Sequence, residues 1–319
     1  MGLSWRDRVM ISVQDIHKRF GGHSVLRGLS FSAERGHITG LVGPNGSGKT
    51  TTIRILTGFY DADEGDVCIG DQQMSIKSVD AKRLVGYAPE NAPLYREQTV
   101  AEYIRFIARL RGVKRAQLQT EVDRSIDAFS LGGVCFQAVG TLSKGYRHRV
   151  SLAQCLLGDP PVIVLDEPTD GLDPLQKIET RNMIRTLAKS KAVLLTTHLL
   201  EEVESLCDRV VLLNQGTVAF AGTIDEVRHA GSADLVIVVR IANEDTDRMN
   251  QALVNFDGLI SASFSTEAGR AQARLNVKWN GAVVDVLDQL SVRLHEHGLR
   301  VVELRCEDSP LSMLFKPQS

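Results

Sequence analysis

An α/β domain built on a largely parallel sheet, followed by a small α+β domain, is the fold that the 319-residue sequence predicts. Three observations carry it. Short all-apolar runs such as VIVL (162–165) and AVLL (192–195) alternate with helical stretches through roughly the first two hundred residues. Strands that are apolar on both faces need a sheet covered on both sides, which is the parallel α/β arrangement. Between about residues 90 and 155 the strands stop and helical spacing takes over. After Gly222 the order becomes β-α-β-β-α-β, the pattern of a ferredoxin-like sandwich.

The elements follow in order. HITGLVG (37–43) is a strand that feeds a glycine-rich loop, and KTTTIRILTGF (49–59) continues as a helix. VAEYIRFIARLRG carries Val100, Tyr103, Ile104, Ile107 and Leu110 at helical spacing, and RAQLQTEVDRSIDAF (115–129) is helical too. PVIVLDE is a buried strand, followed by a turn with Pro168 and Pro174. AVLLTTH is another strand and leads into the helical LLEEVESLC. DRVVLLNQG and TVAFAG are strands joined at Asn214–Gly216, a hairpin signal. A helical IDEVRHAG (224–231) and a linker near 223–232 precede the last domain. There, DLVIVVRI, LISASFS, ARLNVKW and LRVVELRC are strands, while DTDRMNQALVNF and VVDVLDQLSVRLHEHG are helices.

Composition excludes several classes. The net charge is −2 with both signs evenly spread, so no basic face announces a nucleic acid. The five cysteines are scattered with no CxxC pair, which reads as reduced thiols in a cytosolic protein. No apolar run reaches membrane-spanning length. Work at a membrane would need another chain to do the spanning.

The stretch GPNGSGKTT (43–51) fits the phosphate-binding pattern G-x-x-x-x-G-K-[ST], with an apolar strand before it and a helix after it. Gly43, Pro44, Asn45, Gly46, Ser47 and Gly48 supply a loop whose backbone N–H groups can converge on a phosphate. Lys49 reaches the β/γ oxygens, the Thr50 hydroxyl suits Mg²⁺, and Thr51 continues the nucleotide-facing turn. VIVLDE delivers Asp166 to a strand end, where it can hold the Mg²⁺ shell. Glu167 can orient and deprotonate a water aimed at the γ-phosphate. Taken alone, a DE pair after a strand is more often a solvated strand end. The upstream loop turns the reading toward chemistry.

LSKGYRHRV (142–150) separates this chain from other phosphate-loop proteins. Here it resembles the nucleotide-binding subunit of an ATP-binding-cassette (ABC) transporter, over roughly residues 10–225. The family's motifs occur in order: Phe20, Gly43–Thr50, Glu90, LSKGY, VIVLDE, DGLD and His198. The resemblance implies an α/β P-loop NTPase cassette (1–225) with a helical signature subdomain at about 90–155. The ferredoxin-like accessory domain would be 232–319. It implies ATP and Mg²⁺, with Phe20 stacking on adenine, Glu90 joining Thr50 and Asp166 at the metal, and Glu167 and His198 catalytic. Two cassettes would pair head to tail as a homodimer. Ser143, Lys144, Gly145 and Tyr146 would then face the partner's ATP, and Gly171, Leu172 and Asp173 would cross the interface. By itself LSKGY would be an ordinary helix start with Ser143 as its cap.

Two departures refine this. Glu90 stands where Gln is usual, and Lys144 and Tyr146 replace Gly and Gln. With GYAPENAPLY, they make the chain similar to the branch serving ABC-2-type export permeases and gliding-motility ATPases. The expected protein is therefore the ATP-hydrolysing subunit of an exporter, on the cytoplasmic face of the membrane beside a separate polytopic permease. The surface near Glu90–Leu110 would dock that permease. The alternatives are a soluble cassette ATPase in translation or DNA maintenance, and a nucleotide-binding regulator without turnover. A regulatory or dimer-stabilising role is expected for the last domain.

Overall fold

The computed structural model describes residues 8–226, 233–267, 269–279 and 283–306. The chain divides between Gly222 and Thr223 into two compact units.

The first unit holds two sheets. Strands β1 (Val9–Phe20), β2 (His23–Glu34), β4 (Glu64–Ile69) and β5 (Gln72–Gln73) form an antiparallel sheet in the order β2-β1-β4-β5. This corrects the sequence reading, which expected strand–helix alternation from the start. Gly21 and Gly22 have φ of 52° and 87°, and Phe20 pairs with His23 across them. Positive φ at both central residues is what a two-residue hairpin turn with the right twist demands. In β1, Ile11, Val13 and Ile16 turn inward while Ser12, Gln14 and Asp15 are less buried, as a sheet with one covered face requires.

The second sheet runs β10-β9-β3-β8-β7-β6. Its members are β3 (Ile38–Val42), β6 (Val85–Ala88), β7 (Val162–Asp166), β8 (Ala192–Thr197), β9 (Arg209–Asn214) and β10 (Thr217–Thr223). The pairs β9–β3, β3–β8, β8–β7 and β7–β6 are parallel. Every residue of β3 and β8 is buried, which accounts for their mostly apolar spelling, broken only by Thr39, Thr196 and Thr197. The helix Lys49–Leu56 contributes Ile53, Ile55 and Leu56 to a core shared with Leu41 and Val164 of this sheet and Ile11 of the other. Each such side chain, fully buried, stabilises the fold by roughly 1.5–3 kcal/mol.

Three helices, Val100–Leu110, Leu118–Ala128 and Lys144–Gln154, fill the stretch between β6 and β7. Thr99 and Glu102 form a reciprocal capping box at the first of them. Val100, Tyr103 and Ile104 are buried as their spacing predicts, whereas Leu110 is 68% exposed. Burial on that face ends before the last residue of the helix. Tyr103 donates its hydroxyl to Gln154 at 2.7 Å, and Ser125 donates to the Ala153 carbonyl at 2.6 Å. Both bonds pin the Lys144–Gln154 helix to its neighbours.

The second unit has strands β11 (Ala233–Ile241), β12 (Leu259–Glu267), β13 (Arg270–Trp279) and β14 (Val301–Cys306). Helices Thr246–Leu253 and Val283–Glu296 lie between β11 and β12 and between β13 and β14 in sequence. The sheet order is β12-β13-β11-β14, antiparallel throughout. This is the split arrangement of a ferredoxin-like sandwich. Ala271, Ala273, Leu275 and Val277 alternate inward from β13 and share one core with Met249, Leu253, Leu290 and Leu294 of the helices. Ile224–Glu226 is helical. The rest of the expected linker, 227–232, lies outside the described residues.

Candidate active site

Four loops leave the carboxyl ends of neighbouring parallel strands, where open α/β sheets hold ligands. β3 leads into Gly43–Gly48, β8 into His198, β7 into Glu167 and β6 into Glu90. A cleft of about 220 Å³ at these ends is lined by Asn45, Lys49, Thr50, Glu90, Asp166 and Glu167, with Gly46, Gly48, Thr51 and Val25 completing its wall.

The loop is built for an anion. Gly48 starts the helix at φ 109°, and a Cβ there would lie 2.6 Å from Leu26 Cδ2, so only glycine fits. The helix has no side-chain cap and no acidic residue in its first turn. Its leading N–H groups and partial positive charge are left for a ligand. The Ser47 hydroxyl is buried and has no hydrogen-bond partner, an unmet polar group at the phosphate loop. Lys49 folds back, donating Nζ to the carbonyls of Gly43 at 2.7 Å and Pro44 at 3.3 Å. Burial lowers the Lys49 pKa, against the pull of the Glu167 and Asp166 carboxylates.

β8 lies between β3 and β7 and organises the carboxylates. Thr196 pairs in register with Asp166 and donates its hydroxyl to Asp166 Oδ1 at 2.5 Å. The same hydroxyl accepts the Glu167 N–H at 3.0 Å. Glu167 has φ of 49°, a left-handed conformation that costs a non-glycine residue of order 1–3 kcal/mol. It carries the Glu167 carboxylate to His198, with Oε2 2.9 Å from Nδ1. The Glu90 carboxylate accepts from Asn91 Nδ2 at 3.2 Å. Thr50, Asp166 and Glu90 line one cleft with hard oxygen donors, which suits Mg²⁺. No group of three His, Cys, Asp or Glu side chains forms a metal cage among the described residues. A metal held here would need phosphate oxygens and water as well, as Mg²⁺ usually does.

A second cleft, about 390 Å³, shares Glu90 and Glu167 with the first and is lined also by Arg96, Lys144, His148 and Ser151. It lies against the helix Lys144–Gln154, whose cap is Ser143, accepting from the Tyr146 N–H at 3.3 Å. Lys144 packs so closely on Gly171 that a Cβ there would lie 1.9 Å from Nζ. A Cβ on Gly145 would lie 2.6 Å from Gln176 Oε1. Asp173 caps the helix Pro174–Ala188 by accepting from Gln176 N–H at 2.9 Å, and Leu172 is buried beside it. The signature loop and the Gly171–Asp173 turn of one chain therefore rest on each other. Arg149 stacks over the half-exposed Tyr146 ring at 5.5 Å.

Ser143, Gly145, Tyr146 and Asp173 are not walls of the Lys49 cleft. Nor is Phe20, which is 39% exposed and packs edge-on against Tyr60 with centroids 5.3 Å apart. The apolar wall is Val25. Sequence reasoning missed Val25 and Thr196. Both carry β-branched side chains that read as strand filler, and nothing local marks them.

A strand–glycine loop–helix unit with a carboxylate pair two strands away defines a P-loop nucleoside triphosphatase. Residues 26–170 match the model of the ABC transporter family. The uncharacterized ABC transporter ATP-binding protein YhcH of Bacillus subtilis is 30% identical over 309 residues, covering 96% of each chain. Nod factor export ATP-binding protein I of Ralstonia nicotianae is 34% identical over 81% of this chain and 80% of its own. A solved ATP-binding subunit of an ABC transporter superposes with TM-score 0.63 at 30% identity, over 69% of this chain and 92% of that one.

The chain belongs to the ABC transporter family, as an ATP-binding subunit that hydrolyses ATP to power transport. Subunits of this kind work with a membrane permease component. No helix among the described residues is long and apolar enough to cross a membrane.

Proposed function

We propose that this chain energises export through a separate polytopic permease, and that two copies close on ATP between them. The observation that carries the catalytic part is the 2.9 Å contact between Glu167, which lines the phosphate-loop cleft, and His198, which is not one of the cleft's lining residues. ATP entering the cleft offers phosphate oxygens to the Gly46–Thr51 backbone, and Lys49 exchanges its two loop carbonyls for them. Thr50, Asp166 and Glu90 would hold Mg²⁺, whose charge would offset that of the phosphate oxygens. Glu167 takes the proton of the attacking water, while His198 keeps that carboxylate aimed. Ser143 and Gly145 cap the γ-phosphate bound to the partner copy, and Asp173 lies at the interface. Phe20 or Val25 supports the base.

Export is supported by likeness to the Nod factor export proteins and by the GYAPENAPLY stretch with Glu90, which resembles the branch serving ABC-2-type export permeases. The peripheral, cytoplasmic-face location follows from the permease. A cassette working without a permease finds no support among these relatives. The accessory unit Thr223–Ser319 is assigned a regulatory or dimer-stabilising role; YhcH matches across it as well.

The test is Glu167→Gln. Turnover should fall by about 10²–10⁴-fold while ATP still binds and locks the dimer. Hydrolysis at the wild-type rate removes Glu167 from its role. Affinity purification from detergent-solubilised membranes should bring down a polytopic protein in stoichiometric amount; recovery only from the soluble fraction refutes the permease.

A further inference from the structure

A buried carboxylate outside the nucleotide cleft joins the two loops on which this chemistry depends. Glu202, in the helix Leu200–Leu206, is 3% exposed. Its Oε1 accepts the hydroxyl of Thr169. Its Oε2 accepts the hydroxyl of Thr197 at 2.8 Å. Arg181, from the helix that follows Asp173, brings a guanidinium nitrogen to 3.9 Å from Oε1. Thr169 and Thr197 are both 0% exposed.

Helix stability does not explain this arrangement. An acidic residue in a first turn helps its helix while fully solvated, and the adjacent Glu201 is exposed. Burying a carboxylate costs several kcal/mol unless it is well paired and hydrogen-bonded. What Glu202 gains is a grip on two particular hydroxyls. Thr169 lies two residues after Glu167, and Thr197 lies immediately before His198. The Thr197 hydroxyl also accepts the Leu199 N–H at 3.0 Å, which fixes the turn that presents His198. One carboxylate therefore holds both loops whose side chains meet at 2.9 Å.

We propose that Glu202 is a positioning residue for ATP hydrolysis: its hold on Thr169 and Thr197 sets the alignment of Glu167 against His198. The inference rests on the roles proposed above for those two residues. Glu202 does not line the nucleotide cleft, so its loss acts on the rate of the chemical step and leaves ATP affinity alone. Arg181 adds the helix beginning at the Gly171–Asp173 turn to the same assembly.

The experiment compares Thr197→Val, Thr169→Val, Thr197→Ser and Glu202→Gln in the full-length chain, with kcat from steady-state ATPase assays, Kd from ATP calorimetry, and Tm. Each valine removes one hydroxyl and keeps the shape of the side chain. We expect kcat to fall about tenfold to a hundredfold, the scale of a misplaced catalytic group, with Kd unchanged. Thr197→Ser restores the hydroxyl and recovers the rate. In the Glu202→Gln background, Thr197→Val should add less than it does alone, as coupled residues do. Wild-type kcat in both valine variants with only Tm lowered overturns the proposal. So does a parallel loss of Kd and kcat. Glu167→Gln and His198→Ala serve as references. If they retain turnover, the underlying reading fails; if they lose it while the valine variants do not, only the role of Glu202 fails.

Discussion

The Thr196 hydroxyl stands between the two acidic residues of β7's end, donating to Asp166 at 2.5 Å and accepting the Glu167 N–H at 3.0 Å. One side chain from the neighbouring strand thus orients the proposed metal-binding carboxylate and fixes the backbone of the proposed base.

Thr196→Val should separate those duties from simple packing. The shape is retained, but the Asp166 carboxylate loses a donor, while the half-buried Glu167 N–H keeps only the Thr196 carbonyl at 3.2 Å. The expected stability loss is about 1–3 kcal/mol, read by denaturant unfolding. The Mg²⁺ concentration giving half-maximal ATPase should rise, and Thr196→Ser should restore it. An unchanged Mg²⁺ dependence in the valine variant would separate Thr196 from the metal site.

Gly48→Ala should abolish the phosphate loop. The residue sits at φ 109°, and the new methyl would meet Leu26. Strain of order 1–3 kcal/mol is expected, and the leading helix N–H groups shift. Calorimetry should show ATP binding lost. Retained affinity would mean that the loop does not cradle the phosphates as described.

The Lys49 pKa lies below 10.5 because burial disfavours its charged form. Triphosphate oxygens placed against the amine favour that form and raise the pKa. At pH values between the lowered pKa and 10.5, ATP binding therefore takes up a proton. Calorimetry in two buffers of different ionisation enthalpy should detect that uptake, and Lys49→Ala should remove it. In the free protein the sign is opposite to that of a salt-bridged lysine. The folded state binds fewer protons than the unfolded state across this window. Stability then falls as pH drops from 10.5 toward the lowered pKa.

Asp159 predicts part of the acid response. Its carboxylate accepts from Lys191 Nζ at 2.7 Å, with Arg124 3.2 Å away, and the Lys191 bond holds its pKa below the usual 3.8. A depressed carboxylate pKa contributes stability above 3.8 that is lost as pH falls through the folded value. Asp159→Asn keeps the left-handed backbone at φ 50°, a conformation Asn accepts. The variant should lose stability at neutral pH and show a smaller further loss on acidification below 3.8. Equal acid sensitivity in both proteins would remove Asp159 from that role.

Much of the fold was legible because its signals are local. GPNGSGKT states a strand-to-helix phosphate loop through glycine placement, and the apolar runs VIVL of β7 and AVLL of β8 state a covered sheet. The antiparallel β1–β2 ribbon was less legible. Its register slips at Asp15 and neighbouring positions, which breaks the two-residue alternation that would have marked it. Leu110 failed for another reason: spacing fixes a helical face but not how far a neighbour covers it.

The chemical groups on offer are written in the order of residues along the chain: a phosphate loop, the Asp166–Glu167 pair, a histidine after an apolar strand, and a signature that opens a helix. Residue type and short-range spacing suffice for these, since each depends on one strand end or one helix start. Which of these groups meet depends on how the strands and helices pack. The sheet order puts β8 between β3 and β7, so Thr196 reaches Asp166 from thirty positions along the chain. Burial of the Thr169–Glu202–Thr197 cluster gathers three polar residues that no motif links. Non-local pairing is settled by register and by the cost of leaving a buried polar group unpaired, and neither is visible one residue at a time.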